Sequence, residues 1–172
     1  SFENGYSSSI IVLTVLLVES VISRTQYICG SQIPRKPVDF IKSTYSDSDL
    51  ADTIEELFVV RDVIAHNHVW EAQFQWEGYS GIKLVSTPQL KEGYGDKKFQ
   101  RVIDATHQKT RKLGINLFPT RISRNDAVIV LKAAFTFLLL LENEDRRYVY
   151  ISPQPVEFRG NYVTFVDLIE RL

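Results

Sequence analysis

Residues 57 to 68 read Leu-Phe-Val-Val-Arg-Asp-Val-Ile-Ala-His-Asn-His, an arginine, an acid and two histidines set into an otherwise apolar helical run. An ionised group taken out of water is costly unless it is paired or opens onto a cleft. Any fold for this chain must therefore give Arg61 a carboxylate or a solvent-filled recess.

The flanking sequence meets the rules for a helix over about 47–67. Ser46 and Asp49 have capping-box spacing, and Asp47, Asp49 and Asp52 put negative charge at the positive end of the helix dipole. At about 100° per residue, Leu50, Ile54, Leu57, Phe58, Ile64 and Ala65 form one stripe, and Arg61 falls inside it. Val59, Val60 and Val63 extend the apolar coverage to other sides, so the helix is expected to be buried by its own core and by a partner chain. Within the chain, Asp62, Glu55 and Glu19 are the candidate partners of Arg61.

The stretch Arg61-Asp62-Val63-Ile64-Ala65-His66 resembles the Arg-polar-x-x-x-His signature of the HEPN (higher eukaryotes and prokaryotes nucleotide-binding) domains. His66 fits the tighter spacing and His68 the looser one, and Asp62 stands where that family usually has a small polar residue. The resemblance implies a mainly α fold, a HEPN-like helical bundle. It also implies a metal-independent endoribonuclease of toxin or phage-defence type, with a composite site at a homodimer interface and Arg61, Asp62, His66 and His68 as its catalytic set. No cofactor is implied. RNA would be the substrate, and any antitoxin or regulatory protein would be a separate chain, because no nucleotidyltransferase signature is present.

The residue types suit that chemistry. Cleavage by the 2′-hydroxyl needs a base, an acid for the leaving 5′-oxygen and a cation for the charge on phosphorus. An imidazole, with an unperturbed pKa of about 6.5, can serve in either proton-transfer role. Arginine offers a permanently charged fork that matches phosphate oxygens. Asp62 can orient an imidazole or hold Arg61. Since each chain carries one motif, a two-fold dimer would supply two. Helix geometry pulls against His66: in a regular helix it lies about 140° from Arg61, and His68 only about 20° away. Either the helix ends or distorts near His66, or His68 shares the work.

Three plainer alternatives compete. Arg61 can be a structural charge, with the histidine only a helix-end partner. The same face can belong to a non-catalytic helical module that binds nucleotide, RNA or protein. His66, His68 and His107 can be combined into a metal set, but zinc sites need three or four ligands with oriented supports, and no cysteine pair or suitably spaced acid strengthens this one.

Charge supplies a second pointer to nucleic acid. Between Asp96 and Arg124, eight cations (Lys97, Lys98, Arg101, Lys109, Arg111, Lys112, Arg121 and Arg124) face only Asp96 and Asp104, a local balance of +6 that leaves −7 for the rest of a chain whose net charge is −1. Phosphate contacts dominate nucleic-acid affinity, so a chain near neutrality needs such a patch to bind RNA. Tyr94, Phe99 and Phe118 are candidate stacking surfaces. A solvated helix over 97–112 followed by a loop would give the same composition.

The remaining elements follow from punctuation. One helix is expected over about 8–29, capped near Ser7 to Ser9 and stopped by Gly30, and another over 123–143, with Ser123 and Asp126 as its capping box. Val128, Leu131, Phe135, Leu138 and Leu141 are its expected buried stripe, and a short helix over 163–172 completes the bundle. Trp70, Ala72, Phe74 and Trp76 alternate with polar residues, which predicts an inserted hairpin over about 69–86, and Tyr148 to Ile151 is a candidate short strand.

The 172 residues suit one domain, and 44% hydrophobic with 24% charged is ordinary for a globular chain. The single cysteine, Cys29, excludes an internal disulfide; it is expected to be small, buried and reduced. Ile10 to Val18 and Ala127 to Leu141 are too short for a span of about 20 residues, and the amino end lacks a basic flank, so the protein is expected to be soluble and cytoplasmic. No methionine occurs and Leu172 closes without a polar tail, so the native chain is expected to extend beyond these ends.

Overall fold

The computed structural model describes residues 2–31, 35–45, 48–66, 70–73, 83–86 and 97–172, and the fold is mainly α. Its helices are α1 (Phe2–Ile28), α2 (Pro37–Thr44), α3 (Ser48–His66), α4 (Lys97–Val102), α5 (Arg124–Glu144) and α6 (Phe165–Glu170). Among the described residues three antiparallel hairpins lie between them: β1 (Trp70–Gln73) with β2 (Lys83–Ser86), β3 (Ile103–Asp104) with β4 (Lys109–Thr110), and β5 (Pro155–Phe158) with β6 (Asn161–Thr164).

Helix α3 is the centre of the assembly. Its residues Ile54 to Val60 are buried on every side, as expected of a helix apolar on most faces, and α1, α2, α4 and α5 all pack on it. Ala65, placed in the apolar stripe by periodicity, is exposed because the last turn of α3 leaves the core. Ser46 of the expected capping box lies outside the described residues.

Helix α1 begins five residues before its expected serine caps. Asn4 fastens the added turn by donating from Nδ2 to the carbonyls of Thr120 (3.0 Å) and Ile122 (2.6 Å), and Ser7 turns inward as part of the buried face. That face continues through Ile11, Val15, Val18 and Ile22. The stop at Gly30 is as the sequence predicts: its φ of +74° is the left-handed turn glycine tolerates, with Gly30 N–H bonded to Tyr27 and Ser31 N–H to Gln26. The opposite face exposes Tyr6, Ile10, Leu13 and Leu17. Among the described residues α1 is the one helix long and apolar enough to cross a membrane, a test of length and composition that a core helix also passes.

Helix α5 starts where Ser123 and Asp126 predict it. The buried Asp126 carboxylate accepts from Ser123 N–H (2.8 Å) and Oγ (2.7 Å) and also from Asn116 N–H (2.9 Å), so one carboxylate caps the helix and pins the preceding loop. Of the expected stripe Phe135, Leu138 and Leu141 are buried, together with Ala127, Val130, Ala134 and Phe137 beside them, while Val128 and Leu131 are half-buried. The segment is apolar nearly all round, so periodicity specified the helix and only part of its buried face.

Hairpin β1–β2 falls within the expected span, with Trp70 paired to Ser86 and Gln73 to Lys83; the turn, and Phe74 and Trp76 with it, lie outside the described residues. Tyr148 to Ile151 form no strand. Their amide hydrogens are taken elsewhere, Tyr148 N–H by the Asp145 carbonyl and Ile151 N–H by the Glu142 side chain. The last hairpin lies further on at β5–β6, and Thr164 and Asp167 cap α6 reciprocally. Helix α2 had no counterpart in the sequence reading, and the stretch 97–112 is a short helix and a hairpin rather than one solvated helix.

Two outcomes follow. Phe137 has no exposed surface, so Phe137→Ala should cost about 3–5 kcal/mol, read as a lower denaturant midpoint at unchanged slope. The Glu142 carboxylate is pushed up by burial, but donors from Ser152 Oγ (2.7 Å), Ser152 N–H (2.9 Å) and Ile151 N–H (3.1 Å) outweigh this and hold it below the ordinary value of 4.5. A depressed folded pKa gives stability that is present above the unfolded value and lost as pH falls through the folded one. Glu142→Gln should therefore flatten the acid limb of stability below about pH 4.5 in pH-dependent unfolding.

Candidate functional site

Four charged residues of α3, Glu55, Glu56, Arg61 and Asp62, reach outward to other elements. The Glu55 carboxylate pairs with Arg101 of α4, whose Nη2 and Nε both donate to it, and with Lys42 of α2 at 3.5 Å. Glu56, 2% exposed, accepts the backbone N–H groups of Lys112 (2.8 Å) and Leu113 (2.7 Å); burial raises its pKa against the pull of those donors. Asp62 holds Lys98 of α4 at 2.7 Å and its neighbour Arg61 at 3.0 Å. Arg61 extends to α1, where Nη1 donates to Glu19 at 2.6 Å, and its guanidinium lies 5.4 Å from the centre of the Phe58 ring.

All of these side chains except Glu56, Lys112 and Leu113 line one cleft of about 470 Å³ between α1, α2, α3 and α4. Six cations (Lys36, Lys42, Arg61, Lys97, Lys98 and Arg101) face four carboxylates (Glu19, Asp39, Glu55 and Asp62), a local excess of +2, with Pro37, Val38 and Phe58 as apolar surface. Helix α2 enters with its first turn, where Pro37 occupies the position at which a missing N–H is no loss. Such a cleft can bind an anion: the Nε and Nη1 atoms of Arg61 are engaged, and Nη2 takes no part in those bonds.

The expected site residues divide. Arg61, Asp62, Lys97, Lys98 and Arg101 come together on the cleft. His66 does not: it is the exposed last residue of α3 and is absent from the cleft wall, because α3 stays helical through it and sets it on a different side from Arg61. His68 lies outside the described residues. Arg111 and Lys112 line a neighbouring cavity of about 180 Å³ that shares Glu55 and Arg101 with the cleft, and Lys112 pairs with Asp49 at 2.7 Å. Arg121 stacks over Phe118 at 5.4 Å, while Lys109 and Arg124 are exposed elsewhere. The basic segment is thus split over several surfaces rather than forming one patch.

Among the expected stacking residues, Phe99 is 4% exposed and belongs to the core, and Tyr94 lies outside the described residues. Cys29, expected to be buried, is exposed, with Sγ 3.3 Å from the Tyr148 hydroxyl. His107 pairs with Asp104 at 2.7 Å in the β3–β4 turn, and among the described residues no three His, Cys, Asp or Glu are grouped as metal ligands. Sequence reasoning missed Lys36 and Lys42. The available signal was Pro37 after a cation, a helix start with positive charge beside it.

The fold and cleft together define a mainly helical protein with a cation-rich, ion-paired cleft against its central helix. Comparison of the chain with protein-family models, curated proteins and solved structures returns no match.

If the Arg61 ion pairs tie α1 to α3, Arg61→Ala should destabilise by about 1–3 kcal/mol by leaving two carboxylates face to face. The loss should fall by at least about 0.5 kcal/mol in a Glu19→Gln background, measured as a double-mutant cycle in denaturant; additivity would show that the pair contributes nothing.

Proposed function

We propose that the protein is a metal-independent endoribonuclease of the HEPN type, acting as a homodimer in toxin or phage-defence biology in the cytoplasm. The observation that carries this reading is Arg61 itself, a guanidinium on the wall of a cleft that holds five further cations and is large enough for a nucleotide. The 2′-oxygen of the substrate attacks phosphorus, the bond to the 5′-oxygen breaks, and a 2′,3′-cyclic phosphate forms. Arg61 balances charge on the phosphoryl oxygens. His66, and the same residue of a second copy, exchange the two protons, one taken from the 2′-hydroxyl and one given to the 5′-oxygen. Lys97, Lys98 and Arg101 hold the backbone, and a separate antitoxin or regulatory chain restrains the activity.

The exposed position of His66 away from the cleft favours a second reading, a non-catalytic module that binds RNA, nucleotide or a protein partner through the same cations. One assay separates them. Purified protein should cleave single-stranded RNA in EDTA, with Arg61→Ala and His66→Ala each lowering the rate by at least about 100-fold. Unchanged cleavage by both variants would exclude the nuclease mechanism. Saturable binding without cleavage would establish the binding module, and a silent His68→Ala would leave His66 as the working imidazole.

A further inference from the structure

Arg61 carries two carboxylates that tie it to different neighbours. Asp62 already engages Nε and, through Lys98, joins α3 to α4, whereas Glu19 reaches Nη1 from α1 at 2.6 Å. The two acids differ in setting. Asp62 is 13% exposed and shared between two cations; Glu19 is 35% exposed, lines the cleft and has Arg61 as its ion-pair partner. Carboxylate and phosphate oxygens meet the arginine fork in the same way, so the two groups compete for one guanidinium face.

We propose that Glu19 is a stand-in for a ligand phosphate: its carboxylate occupies the seat on Arg61 that a phosphate group takes over, and its displacement sets which anions the cleft accepts. The proposal rests on the reading of this cleft as a phosphate-binding site. A phosphate group brings more acceptor oxygens than a carboxylate and draws on the ammonium groups of Lys97 and Lys98 on the same cleft. It can therefore displace Glu19, which turns toward solvent, while a simple monoanion offers Arg61 no gain over the carboxylate it would replace. Asp62, more enclosed and doubly paired, stays in place and keeps the guanidinium oriented.

The test uses two probes, inorganic pyrophosphate and a non-cleavable 2′-O-methyl hexanucleotide, titrated at fixed salt into wild type, Glu19→Gln, Arg61→Ala and the double variant. Glu19→Gln should bind pyrophosphate about fivefold tighter than wild type, the effect of removing one part-exposed competitor, and Arg61→Ala should erase that gain. Thermal melts confirm that each variant is folded. Should Glu19→Gln not fold, Glu19→Asp, which withdraws the carboxylate while keeping its charge, should tighten binding in the same direction. Equal or weaker pyrophosphate binding by a folded Glu19 variant overturns the proposal. A pyrophosphate gain with no hexanucleotide binding by any variant upholds the Glu19 seat and removes RNA as the ligand. Arg61-dependent hexanucleotide binding that ignores Glu19 keeps RNA and removes the seat.

Discussion

The structure depends on placing four ionisable side chains, Glu55, Glu56, Arg61 and Asp62, on the helix that every other large helix packs against. Each would be costly there without a partner. None of the four is satisfied along α3 alone: Glu55 draws in α2 and α4, Glu56 the loop at Lys112 and Leu113, Asp62 draws in α4, and Arg61 draws in α1. Hydrophobic burial brings the elements together without choosing their order. These contacts bear on it, since a neighbour without the matching charge at Glu55, Arg61 or Asp62, or without free N–H groups at Glu56, would leave an unpaired charge on the central helix.

This constraint also explains what could be read in advance. Arg61 within an apolar stripe demanded a carboxylate, and Glu19, on an apolar helix far away in sequence, was a short list of one from that element; the 2.6 Å contact answers that demand. Helix stops and caps at Gly30, Ser123 and Asp126 were equally legible because their hydrogen bonds are local. The face of α5 was legible only in part, since a helix apolar on nearly all sides carries little phase information. Helix α2 was missed for a related reason: eight residues give barely two turns of periodicity.

The candidate site was legible only in part, again for physical reasons. Sequence spacing brought Arg61 and His66 close along the chain, but a regular helix separates residues five apart by more than a third of a turn, and α3 remains regular to its end. The basic count from Asp96 to Arg124 was correct as a sum and misleading as a surface. Two short strands and a turn send Lys109, Arg111, Lys112 and Arg121 away from the cleft that Lys97, Lys98 and Arg101 line. Lys36 and Lys42, at the start of and within a helix that sequence reading overlooked, take their place on the wall.

The ion pairs that hold the cleft together also leave it with more cations than acids, and the two properties have one source. Glu55 and Asp62 are each shared between two cations, so the more enclosed acids are saturated while the cleft keeps an excess of positive charge. Had each acid met a single cation, the floor would be neutral and closed, and a phosphate would gain nothing by entering. Sharing leaves N–H donors over, most plainly at Arg61 Nη2, and places them beside the apolar surface of Phe58, where an added anion is less screened than in open water. Stability and recognition therefore draw on the same charges. A substitution that improved one by adding an acid to the cleft would diminish the other.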